Sequence, residues 1–124
     1  PLCQGLLTGK YQGRQAPGGS RGAESTNFRE RYLTEYNEAG VQGLTEIARS
    51  MKITLAQLAL AWVLRRPEVS SCIVGASRPE QLDETAQASG IKLDDETLAR
   101  VQRVLDRRWA LVLDEDAQKL RGGG

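Results

Sequence analysis

The apolar positions of this chain recur at helical spacing over most of its length. Val41, Leu44, Ile47, Ala48 and Met51 fall three and four residues apart, which predicts an amphipathic helix from about Ala39 to Met51. Gly43 weakens that helix. Thr54 begins a second one: Thr54 and Gln57 have capping-box spacing, and Leu55, Leu58, Ala59, Trp62 and Val63 share a face. Leu60, Ala61 and Leu64 fill the opposite side, so this helix is expected to be largely buried. Arg65 and Arg66 suit its C-terminal dipole, and Pro67 stops it. A third helix runs from Arg78 to Ser89, with Gly90 as its left-handed cap. Asp94 caps a last one carrying Leu98, Val101 and Leu105 on one face.

The remaining segments break this period. Residues 1–11, Pro-Leu-Cys-Gln-Gly-Leu-Leu-Thr-Gly-Lys-Tyr, are interrupted by two glycines and predict a strand end entering a loop. Residues 12–27 centre on Pro17-Gly18-Gly19-Ser20 and predict a long mobile loop. Residues 28–37 suit a helix of mixed charge. Residues 71–74 predict a short buried strand. Two strands joined by a long helical crossover form a βαβ unit, which would be parallel and right-handed. A parallel pair needs cover on both faces, so the pattern predicts part of a larger α/β protein.

Composition narrows the function classes. The chain has 124 residues, 40% hydrophobic and 27% charged, with net charge +1, which is globular and gives no support to nucleic-acid or anionic-membrane binding. No apolar run reaches the roughly 18 residues of a membrane span, and no signal-like segment opens the chain. Two cysteines, Cys3 and Cys72, form no CxxC pair and predict free thiols in a cytoplasmic protein. The sequence has no histidine, so a metal site is not expected.

Chemistry concentrates where Cys72-Ile73-Val74 passes through Gly75 and Ala76 into Ser77-Arg78-Pro79-Glu80. A helix N-terminus points free N–H groups at an anion, and Arg78 adds a planar fork that fits phosphate. Ser77 and Glu80 also fit an ordinary capping box.

Three stretches together resemble the aldo-keto reductases, nearest the branch of bacterial general reductases and potassium-channel β subunits. Residues 1–11 resemble the loop after the seventh strand, and 55–64 the helix before the eighth. Residues 73–85, Ile-Val-Gly-Ala-Ser-Arg-Pro-Glu-Gln-Leu-Asp-Glu-Thr, resemble the segment that grips the adenosine 2′-phosphate of NADPH. The resemblance implies a (β/α)8 barrel with its site at the C-terminal face. Such a barrel takes about 250 residues, so residues 1–106 would be its C-terminal portion, about the last two strands with their helices, helix-rich as an isolated piece. Residues 107–124 would be an extension, partly helical at most.

The implied function is NADP(H)-dependent hydride transfer to a small carbonyl substrate. The family's Asp, Tyr, Lys and His tetrad falls on earlier strands, so no catalytic residue is assigned here, and Lys10, Tyr11, Tyr32 and Tyr36 do not take those roles. By the resemblance, Leu2, Cys3, Gln4 and Gly5 would line the pyrophosphate and Lys10 would add positive charge. Gly75, Ser77 and Arg78 would hold the 2′-phosphate, while Gln81 and Glu84 would contact the adenosine. Thr85 stands where the family usually has Asn, which puts one adenine contact in question. The alternatives are a non-catalytic interaction module of channel β-subunit type and an inactive gene remnant. The isolated piece is expected to be inactive and to self-associate through uncovered apolar edges.

Overall fold

The computed structural model describes residues 1–106. It contains six α-helices: α1 (Arg21–Glu24), α2 (Thr26–Tyr32), α3 (Glu35–Ser50), α4 (Leu55–Leu64), α5 (Pro79–Ala86) and α6 (residues 95–106). Short 3₁₀ segments cover Cys3–Thr8, Gln12–Arg14 and Gln87–Gly90. The expectation for the tail, 107–124, lies outside the described residues.

Each longer helix starts where a side chain can satisfy its first N–H groups. Thr34 accepts from the N–H of Asn37 (3.1 Å) to open α3. This cap divides the mixed-charge helix expected over 28–37 into the end of α2 and the start of α3. The buried Asn37 ties the two together by donating to the carbonyl of Tyr32 (3.0 Å). The capping box expected at α4 is present in both directions, Gln57 N–H to Thr54 Oγ1 (3.2 Å) and Thr54 N–H to Gln57 Oε1 (3.1 Å). Asp94 Oδ1 accepts from Thr97 N–H (2.8 Å) to open α6, and hydrogen bonding from the Thr97 side chain and then its N–H holds the carboxyl below the ordinary Asp value.

The core joins three of these helices. Ile47 and Ala48 of α3, Leu58 of α4 and Val101 of α6 are buried together, with Leu44, Met51, Trp62, Val104 and Leu105 packed around them. All of these but Val104 are the periodic positions of the sequence. Gly43 does not interrupt α3, and it serves the packing: a Cβ there would lie 3.1 Å from both γ-methyls of Val104. Its lack of a side chain therefore lets α6 approach closely. Arg100 donates to Ser50 Oγ (3.0 Å) across the same contact.

Two expectations are corrected. Neither strand forms among the described residues. Residues 71–74 carry no ladder, and Ile73 is 90% exposed. A parallel strand satisfies its backbone only on neighbours in the sheet, and among the described residues no second strand is present to supply them. The segment after Leu2 is 3₁₀-like, not extended. Gly90 is also not left-handed: α5 tightens into Gln87–Gly90, where the N–H of Ile91 bonds the carbonyl of Ala88 (3.2 Å), so no left-handed residue is needed. Residues 12–27 hold α1, where the buried Tyr11 Oη accepts from Gly22 N–H (3.1 Å).

Candidate functional site

The ten candidate positions fall into two groups, both bordering α4. The first is Leu2, Cys3, Gln4, Gly5 and Lys10. Its backbone turns from Leu2 (φ −92°, ψ 15°) into three successive left-handed residues, Cys3 (φ 50°), Gln4 (φ 56°) and Gly5 (φ 101°). Right-handed followed by left-handed residues turn successive N–H groups into one concavity, an anion-binding nest. Only glycine adopts such backbone cheaply, so Cys3 and Gln4 carry strain of about 1–2 kcal/mol each. The Leu2 carbonyl fixes the turn by accepting from Gly5 N–H (3.0 Å) and Leu7 N–H (3.2 Å).

Two cations flank this turn. Lys10 folds back over it: a Cβ on Gly5 would sit 3.0 Å from Lys10 Nζ, which also lies 5.3 Å from the Tyr11 ring centroid. Arg21 Nη1 donates to Gln4 Oε1 (2.9 Å). Sequence reasoning missed Arg21, because it lies in the stretch read as a mobile loop and only the fold brings it to Gln4. The signal that could have found it was Ser20-Arg21 closing a glycine-rich run, a serine cap followed by a cation.

The second group is Gly75, Ser77, Arg78, Gln81 and Glu84. Arg78 is exposed at the N-cap of α5, and Pro79 begins the helix. The side chain that reaches back is Gln81, not Glu80: its Oε1 accepts from Ser77 N–H (2.8 Å), Ser77 Oγ (3.3 Å) and Arg78 N–H (3.4 Å). The Ser77–Glu80 capping box is therefore replaced by one built on Gln81. The N–H groups expected to meet a phosphate are held by this amide oxygen. Glu84 is placed through its backbone, since its carbonyl accepts from Gln57 Nε2 (2.9 Å). Thr85 turns its hydroxyl onto the carbonyls of Gln81 (2.9 Å) and Leu82 (3.3 Å), so its donor is engaged within α5. Gly75 is exposed, with open space where a Cβ would be.

A cavity of about 260 Å³ lies elsewhere, between the Gln12–Arg14 turn and α3, with Leu6, Tyr11, Arg14, Val41 and Arg49 in its wall. None of the ten candidates lines it. Arg14 is paired there with Glu38 (3.0 Å) and Glu35 (3.6 Å). Among the described residues, no three Cys, Asp or Glu side chains gather as a metal site, and both cysteines are free thiols. No single described helix is long and apolar enough to cross a membrane.

The two groups thus present a left-handed turn with Lys10 folded over it and Arg21 bonded to its Gln4, and an exposed arginine at the start of α5. Residues 1–106 match the profile of the aldo/keto reductase family, and the chain belongs to that family. It is 40% identical to L-glyceraldehyde 3-phosphate reductase of Escherichia coli O157:H7, over 83% of this chain and 31% of that protein. It is 43% identical to the "Probable voltage-gated potassium channel subunit beta" of Arabidopsis thaliana, over 71% of this chain and 27% of that one. Protein tas of Escherichia coli (strain K12) is 35% identical, over 81% and 29%. The chain thus spans about a third of the length of these relatives. Membership implies the (β/α)8 barrel, and reductases among the relatives make this an oxidoreductase family.

Proposed function

We propose that this chain supplies the adenosine and pyrophosphate clamp of a cytoplasmic NADP(H)-dependent aldo-keto reductase, as the C-terminal portion of its barrel. The observation that carries the reading is the strained Leu2–Gly5 nest with Lys10 Nζ folded over it. Strain held in consecutive non-glycine residues needs a use, and an N–H concavity under an ammonium group suits a pyrophosphate. When bound, NADPH supplies hydride to a carbonyl. The residues here orient it. Leu2, Cys3, Gln4 and Gly5 would line the pyrophosphate, with Gly5 N–H closing the turn on the Leu2 carbonyl, and Lys10 neutralises phosphate charge. Arg78, with Gly75 and Ser77, would take the 2′-phosphate, while Gln81 and Glu84 border the adenosine. The tetrad that protonates the alkoxide would come from outside this chain. The isolated piece would therefore be inactive, and it would self-associate through exposed Ile73 and Leu82.

The test is Arg78→Ala in the full-length protein, with NADPH and NADH titrated by fluorescence quenching at fixed salt. Losing a charge-assisted fork worth about 1.5–3 kcal/mol per bond should weaken NADPH roughly tenfold to a hundredfold and leave NADH nearly unchanged. Equal losses would refute a 2′-phosphate role. The 43% identity to a protein named as a channel β subunit favours one other reading, a channel-associated subunit. NADPH-dependent reduction of an aromatic aldehyde by the full-length protein, followed at the nicotinamide band, separates the two.

A further inference from the structure

We propose that Tyr11 is a positioning residue that acts through Arg21, fixing its guanidinium beside the Leu2–Gly5 turn. This rests on the reading of that turn as the pyrophosphate site. Helix α1 is four residues long, too short to hold itself, since helix nucleation is unfavourable and its first N–H groups lack internal partners. Two side chains supply them: Ser20 Oγ accepts from Ala23 N–H (3.3 Å), and Tyr11 Oη accepts from Gly22 N–H (3.1 Å). The Tyr11 bond is buried and bridges eleven residues. Residue 22 must be small for it to form, because a Cβ there would meet Tyr11 Cε1 at 2.6 Å and Ala16 Cβ at 3.1 Å.

The tyrosine is itself fixed. Its ring packs on Phe28 (centroids 5.2 Å apart), and Phe28 packs on Tyr32 (5.0 Å). Fixing the N–H of Gly22 fixes the backbone of its neighbour Arg21, whose side chain then reaches Gln4 Oε1. Gln4 Nε2 in turn points to the hydroxyl of Tyr32 (3.5 Å). One aromatic stack thus holds both partners, Arg21 through Tyr11 and Gln4 through Tyr32. Without the Tyr11 hydroxyl, Arg21 would have to be ordered out of a loop each time it met a phosphate, and that ordering opposes binding.

The test is a double-mutant cycle in the full-length protein, titrating NADPH and NADH by fluorescence quenching. Arg21→Ala should weaken both dinucleotides about tenfold, because both carry the pyrophosphate. Tyr11→Phe keeps the ring and should weaken both about threefold, yet change almost nothing in the Arg21→Ala background. Equal losses in the two backgrounds, or none in the parent, overturn the positioning role while leaving the Arg21 contact standing. A silent Arg21→Ala overturns both. A second readout needs no cofactor: tryptic cleavage after Arg21 should be several-fold faster in Tyr11→Phe, and an unchanged rate rejects the latch.

Discussion

Replacing Gln57 should separate α5 from the core while leaving α4 in place. Gln57 is 7% exposed and spends both ends of its amide. Oε1 accepts from Thr54 N–H at 3.1 Å, and Nε2 donates to the Glu84 carbonyl at 2.9 Å and to Gln87 Oε1 at 3.4 Å. Gln57→Leu removes two good hydrogen bonds at about 1 kcal/mol each and leaves the Glu84 carbonyl short of a partner, a further 1–2 kcal/mol or so. Burying a leucine in the same volume returns about 1 kcal/mol, so the net loss is about 2–3 kcal/mol. Gln57→Glu should cost more near neutral pH. It keeps an acceptor for Thr54 but faces the Glu84 carbonyl with a carboxylate oxygen in a buried place. Urea unfolding of the full-length protein, followed through Trp62 in the same core, reads both changes. Hydrogen exchange at α5 should accelerate more than at α3. A Gln57→Leu change under about 0.5 kcal/mol, or equal exchange in both helices, would refute the argument that this amide joins α5 to the core.

Two further predictions concern α6. The Asp94 carboxyl is held below its ordinary pKa by the hydrogen bonds from Thr97. A group depressed in the native state stabilises above its unfolded pKa, and that contribution is lost as pH falls through the native value. Exchange protection in the first turn of α6 should therefore decline through and below the ordinary carboxylate range in the parent but not in Asp94→Asn, whose cap does not titrate; identical acid profiles would contradict the cap. Gly43→Val should lower the unfolding midpoint, by about 1–3 kcal/mol of overpacking against Val104, and Val104→Ala should restore part of it; no rescue would place the strain elsewhere.

What the chain determined by itself is what depends on local chemistry. Apolar spacing and capping chemistry put α3, α4 and α6 where they form, because both act within one or two turns of backbone. The Thr54–Gln57 box and the Asp94 cap were readable for that reason. The ten candidate positions were read by resemblance, and they fall into two groups beside α4. What only the tertiary structure decided involves groups distant in sequence. Residues 71–74 had the composition of a strand, but a strand requires neighbours, and Ile73 stands exposed among the described residues. Gln57 read as a cap alone, and its second role appeared once Glu84 lay against it. Gly43 read as a weak point until Val104 filled the space above it. Arg21 reaches Gln4 only in the fold, where Tyr11, ten residues before it, accepts from the next N–H, a contact no periodicity announces.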